Sequence, residues 1–314
     1  MKKTLALCAA LPLVLTLAAC GGSEDGAAAD GKISVAASFY PFAYAAQQVG
    51  GDLVDVDNLT APGVEPHDLE LKPKQVAAVQ DADLVVFEEH FQAAVDEAVD
   101  QADRSDDDTL DVASVVQLKP TQAGAEEEHA GEEDDHDHDH GDEDPHTWLD
   151  PQNMIAIAKA LETKLSAADP DNAQTYADNT TAFVDRLTAL DADFASGLAT
   201  CRTRTIVTSH AAFQYLAARY DLTQVPIAGI DPSNEPSPSQ LADITKLVRA
   251  RGITTIFTEE LVSPAIADTI ASETGATTAT LDPIEGLSSD TKDETYLTLM
   301  RKNLATLTKA NGCS

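Results

Sequence analysis

Short apolar runs alternate with longer stretches of helical period along this chain. Residues 33–37, 53–59 and 84–87 are apolar or alternating and read as strands. Helical spacing follows the first of them as far as Gly50-Gly51 and returns at 74–80 and 92–103, while 109–116 reads as extended. The order βαβαβαβ is the pattern of a parallel sheet with helices on both faces. From Pro151 onward the period is helical. One helix is expected over 152–167, and a second begins near Asp169-Pro170, with Asp as cap and Pro in the first turn. The apolar stripe of this second helix is Tyr176, Phe183, Leu187, Leu190, Phe194 and Leu198. About 30 residues give a rod of roughly 45 Å, long enough to span two lobes. Past Cys201 the alternation resumes, with strands expected at 205–209, 224–228, 254–258 and 277–281 and helices at 211–220, 238–250, 264–274 and 293–309. The expected fold is α/β: a first lobe over 32–169, a linking helix over 170–200 and a second lobe over 201–314, each lobe a parallel-type sheet flanked by helices.

Two stretches break this pattern. Lys2 and Lys3 precede an apolar run from Leu5 to Leu17, too short to cross a membrane comfortably, then Leu17-Ala18-Ala19-Cys20-Gly21. Small residues before Cys20 read as a lipoprotein cleavage site. Residues 1–19 are then a signal peptide, Cys20 a diacylated anchor and 20–31 a flexible tether; an ordinary secretory signal is the alternative. The second break is the segment 119–144. Residues 126–144 hold twelve acidic side chains and four histidines, His129, His136, His138 and His140, with only Ala and Gly besides. Nothing there can form a core, so a solvated loop is expected. A lone charge run is usually a solubilising insertion, but four histidines within twelve residues suit an accessory site for a divalent cation.

The formal net charge is −34, and the twelve acids of that loop account for little more than a third of it. Nucleic acid is excluded as a partner, because phosphate binding needs a basic face; cations are the natural ligands of such a field. Of four cysteines, Cys8 goes with the signal and Cys20 is lipidated, leaving Cys201 and Cys313. An exported chain favours a disulfide between them, stabilising by roughly 4–5 kcal/mol in the chain-entropy model; two free thiols are the alternative.

Three histidines share one context. His67 lies past a strand in a Pro-rich turn, His146 in a turn bounded by Pro145 and Pro151, and His210 directly after the strand ending at Ser209. Asp282 follows the strand ending at Leu281. Ligands of open α/β sheets bind at the carboxyl ends of strands, and three imidazoles with one carboxylate suit tetrahedral zinc. Each residue alone is an ordinary loop residue; together they form a candidate metal shell. Glu65 is a weaker candidate, as ligand or as acceptor behind one. His90 follows a strand without a stiffening frame and reads as structural or solvated.

The motifs Val64-Glu65-Pro66-His67-Asp68, Asp144-Pro145-His146-Thr147-Trp148-Leu149-Asp150-Pro151, Ser209-His210-Ala211-Ala212-Phe213 and Leu281-Asp282-Pro283-Ile284-Glu285-Gly286-Leu287 resemble the zinc-type solute-binding lipoproteins of bacterial ABC metal importers (ZnuA-like, cluster A-I). The likeness covers about residues 32–312. It implies two α/β lobes joined by one long helix with Zn2+ held between them. His67, His146 and His210 become ligands and Asp282 takes the carboxylate position, with Glu65 or a water as the alternative fourth ligand. Manganese-type members place Glu where His210 stands, which favours zinc here.

The function implied is not enzymatic: a monomeric, lipid-anchored protein on the outer face of the cytoplasmic membrane captures Zn2+ and passes it to an ABC permease. Two alternatives stand beside it. One is a surface adhesin or metal buffer working through the His/acid-rich loop. The other is a secreted zinc hydrolase, against which stands the lack of a His-Glu-x-x-His helix or a Gly-x-Ser-x-Gly elbow.

Overall fold

A computed structural model describes residues 31–121 and 143–314. The first lobe runs β1 (Ile33–Ala37), α1 (Tyr40–Gly50), β2 (Val54–Asn58), α2 (Pro73–Asp81), β3 (Leu84–Phe87), α3 (Ala93–Gln101) and β4 (Thr109–Asp111). Its four strands are parallel in the order β2-β1-β3-β4. The extended reading of 109–116 is shortened, because Asp111 caps a 3₁₀ turn at Val112–Ser114 by accepting from the Ala113 N–H. Two short strands follow, β5 (Lys119–Pro120) and β6 (Glu143–Asp144), paired antiparallel. Both fall inside the stretch expected to be loop, so the ordered frame reaches further into it than composition implies.

α4 (Pro151–Ala168) starts on Asp150, whose carboxylate accepts from the Gln152 N–H, with Pro151 at the first helical position. The linking helix begins with a 3₁₀ turn at Pro170–Asn172 and continues as α5 (Ala173–Gly197). Its 25 α-helical residues make a rod of about 37 Å, shorter than the pattern suggested because the first turn is 3₁₀ and the last residues leave the helix before Cys201. The second lobe comprises β7 (Thr205–Thr208), α6 (Gln214–Arg219), β8 (Thr223–Pro226), α7 (Pro238–Arg251), β9 (Thr255–Thr258), α8 (Ala265–Thr274), β10 (Thr277–Thr280) and α9 (Tyr296–Asn311). Its sheet is also parallel, in the order β10-β9-β7-β8.

One hydrophobic core runs through both lobes. The α5 stripe from Tyr176 to Leu198 is fully buried in it, together with Phe39 and Phe42 of the first lobe and Tyr296 and Met300 of the second. Trp148 sits at its middle. The ring packs against Phe39 and Phe91 at centroid distances of 4.7 and 5.5 Å, the indole N–H donates to the Pro283 carbonyl at 2.7 Å, and the Trp148 carbonyl accepts from the Tyr296 hydroxyl at 2.6 Å. Each lobe has a smaller outer core of its own, around Val85 and Val95 in the first and Ile256 and Ile270 in the second.

The Cys201–Cys313 disulfide joins the chain after α5 to the chain after α9 across a separation of 112 residues. Backbone bonds flank it on both sides, Arg202 N–H to the Asn311 carbonyl and Ser314 N–H to the Thr200 carbonyl. Replacing both cysteines with serine is expected to lower unfolding stability by up to about 4–5 kcal/mol. The check is urea unfolding of oxidised wild type against the double variant, and the gap closes when wild type is reduced.

Candidate metal centre between the lobes

The residues that follow the strands' carboxyl ends meet at one point. His67 lies in the turn after β2, His210 two residues after β7, and Glu285 five residues after β10. His146 arrives differently, two residues past the short strand β6. The ligand-bearing atoms of these four side chains all lie within 4.8 Å of one another. The His146 Nε2 is 3.3 Å from that of His67 and 3.2 Å from that of His210. Glu285 Oε1 stands 3.6, 3.4 and 3.3 Å from the Nε2 atoms of His67, His146 and His210. His146 and His210 are wholly buried, Glu285 is 1% exposed and His67 8%.

These separations decide what the site can hold. Five of the six edges are 3.2–3.6 Å and the sixth, His67 to His210, is within 4.8 Å; a regular tetrahedron with edges of about 3.4 Å has its centre about 2.1 Å from each corner, the length of a zinc–nitrogen or zinc–carboxylate bond. The donor chemistry agrees. Asp144 Oδ1 lies 2.8 Å from His146 Nδ1, and Glu259 lies 2.8–2.9 Å from His210 Nδ1. A carboxylate can only accept, so each Nδ1 carries the proton and each Nε2 turns a lone pair inward. The same carboxylates also accept the backbone N–H of the histidine they hold. Glu285 accepts no hydrogen bond at either oxygen. Lone pairs and a carboxylate oxygen therefore face each other in a buried space, and a cation is what reconciles them.

Protons compete with a metal for these groups. Burial lowers the pKa of His210, but Glu259 and Glu285 outweigh it and hold the imidazole well above its ordinary value. Burial lowers that of His146 too, and Asp144 with Glu285 brings the net result above ordinary. At His67 burial prevails, and its pKa falls to about 4. Burial would raise Glu285, but His210 and the other two imidazoles hold it well below the usual carboxylate range. His210 and Glu285 thus each favour the other's charged form.

His67, His146 and His210 come together as the sequence indicated; Asp282 does not join them. Its Oδ1 accepts the Ile284 N–H at 2.8 Å, and its backbone exchanges two bonds with the Asn303 side chain. Asp-Pro makes a turn here, and Ile284 at φ +60° reverses the chain so that Glu285 reaches the histidines. In the sequence Glu285 is simply the next carboxylate after that Asp-Pro turn, and nothing local ranks it above Asp282. Glu65 stays out of the cluster as well and accepts the His67 N–H at 3.0 Å. Burial pushes its pKa up to about 8. Glu259, which holds His210, escaped notice, although it directly follows β9, another strand end of the same sheet. His90 is exposed, at φ +69°, with its N–H on Asp96. Cys20, His129, His136, His138 and His140 lie outside the described residues.

The chain is similar to proteins named for zinc binding and zinc uptake. A family model described as ZnuA, zinc-uptake complex component A periplasmic, matches residues 35–310. The zinc-binding lipoprotein AdcA of Streptococcus pneumoniae strain TIGR4 is 39% identical over 310 residues; the match takes in 98% of this chain but 60% of AdcA, so the chain spans about three fifths of that relative. The high-affinity zinc uptake system protein ZnuA of Bacillus subtilis is 36% identical, with 93% of each chain matched. In structure, the Zn(II)-bound ZnuA-like domain of S. pneumoniae AdcA superposes with a TM-score of 0.74 at 35% identity, over 90% of this chain and 99% of that one.

Glu285 and Asp282 are separable by substitution. Glu285→Ala is expected to weaken zinc binding by more than about 100-fold, since even a partner behind a ligand is worth about 10–100-fold. Asp282→Asn keeps an acceptor for the Ile284 N–H and should stay within about threefold of wild type. Competition with a chromogenic chelator measures both, and equal losses would return Asp282 to the metal.

Proposed function

We propose that this chain, which belongs to the ZnuA family of periplasmic zinc-uptake components, captures Zn2+ from outside the membrane and delivers it to an ABC permease. The observation that carries this reading is the closed shell: His67, His146, His210 and Glu285 converge at zinc–ligand spacing and are buried together. Four protein ligands leave no open position for a water or substrate, as metal-assisted hydrolysis would need. Capture and release then rest on the four ligands. The cluster itself contains no Lys or Arg, so the charge that balances Glu285 is a cation's to supply. No helix of the described residues is long and apolar enough to cross a membrane. Attachment is assigned to a lipid on Cys20, and the His/acid-rich segment acts as an accessory collector feeding the centre.

The reading is tested by calorimetric titration of metal-stripped protein beginning at Gly21, with residues 122–142 removed. Ending the deletion at 142 keeps Asp144, the partner of His146. One tight equimolar site is expected, lost in His67→Ala and in His210→Ala. Absence of a tight site would hand the metal to the deleted segment and favour a surface buffer.

The raised pKa of His210 makes a second expectation. Its pKa in the metal-free fold is raised by Glu259 and Glu285, so proton and metal compete for Nε2. Affinity should therefore fall as pH is lowered through neutrality, by about tenfold per unit for each proton released. Titrations in buffers of different ionisation enthalpy count those protons directly.

A further inference from the structure

Of the four residues in the shell, His146 alone is not delivered by a strand of either main sheet. It sits two residues past β6, and β6 pairs only with β5 over two residues a side, too short a ladder to hold its own geometry. The support comes from the other lobe. The Tyr215 hydroxyl accepts the Lys119 N–H at 2.9 Å and donates to the Asp144 carbonyl at 2.7 Å, joining both strands through one oxygen. Beside it, Gln214 Nε2 donates to the Pro120 carbonyl at 3.0 Å. Tyr215 is 2% exposed. Its backbone belongs to the first turn of α6, five residues after His210. Asp144, held by its carbonyl, uses its carboxylate to fix both the backbone N–H and Nδ1 of His146.

We propose that Tyr215 is a positioning residue for the metal centre. It acts through Asp144 to hold His146 at its 3.2 Å spacing from His210, an inference that rests on the zinc-site reading above. A hydroxyl is required because it must accept from one strand and donate to the other; a phenyl ring of the same shape does neither. The clamp ties His146, carried by the first lobe's chain, to the helix that follows His210. The spacing of the two histidines then does not depend on α5 alone.

The test is Tyr215→Phe in the full mature chain, with Tyr220→Phe as control. Tyr220 bonds Asp191 by a hydroxyl at 2.9 Å just past the same helix and does not touch β5 or β6. Two quantities are read. Zinc affinity by chelator competition should drop about tenfold in Tyr215→Phe and stay unchanged in Tyr220→Phe. In metal-free, 15N-histidine-labelled protein, solvent exchange of the His146 Nδ1 proton should speed up about tenfold in Tyr215→Phe only. Combining Tyr215→Phe with Asp144→Asn should cost less than the two single losses added together. Unchanged exchange in Tyr215→Phe, or equal changes in both tyrosine variants, would overturn the assignment. If wild type bound no zinc tightly, the zinc reading would fail, while the exchange experiment would still decide the clamp.

Discussion

The centre depends on an arrangement that is unfavourable by itself. Imidazole lone pairs and a carboxylate oxygen point at one another across 3.2–3.6 Å in a buried space. Left to relax, the rings would rotate and offer an N–H to Glu285. Asp144 and Glu259 prevent this by taking the Nδ1 protons of His146 and His210, so the Nε2 lone pairs have nowhere to turn. Each holding carboxylate also grips the backbone of its own histidine. Ring orientation and chain position are thereby fixed by the same group. The cost of convergence is met by the rest of the molecule, and recovered when a cation with matching bond lengths enters.

That cost can be borne because the lobes share one core. α5 contributes a fully buried stripe to it, and Trp148 is hydrogen-bonded to Pro283 and Tyr296 of the second lobe while its ring lies on Phe39 and Phe91 of the first. A stiff helix and a continuous apolar interior resist a wide swing of the lobes. The turn bearing His67 also reaches the second lobe. Its link across the cleft is the Gly63 N–H to the Leu287 carbonyl at 2.8 Å, and a Cβ on Gly286 would lie 3.3 Å from a Leu261 methyl and 3.7 Å from the Val64 carbonyl.

Electrostatics follow from the same enclosure. Glu88, Asp144, Glu259, Asp282 and Glu285 are all buried near the centre. Burial raises Asp282 to about 7, and it keeps Glu88 well above the usual carboxylate range. Glu285 and Asp282, three residues apart, are thus driven in opposite directions, one by facing three imidazoles and the other by lacking any cationic partner. The contrast separates the carboxylate suited to a metal from the one that caps a turn.

The alternation of short apolar runs with helical periods carried the two α/β lobes and the linking helix, and the prolines and strand ends carried the setting of His67, His146 and His210. These are local properties: a strand's period, a proline's fixed φ and a histidine's chemistry are written where they occur. The fourth corner of the shell was not legible in the same way. Asp282 and Glu285 are both acids after the same strand, and only the bond from the Ile284 N–H, with the left-handed backbone at Ile284, decides which one turns inward. Glu259 and Tyr215 were hidden for a related reason. Their roles consist of contacts with residues 49 and 71 positions away, and nothing in a residue's own neighbourhood records a distance of that kind. Residue types and periods determine which elements form and what chemistry is at hand; which of those groups meet is decided when the sheets' carboxyl ends are packed against each other.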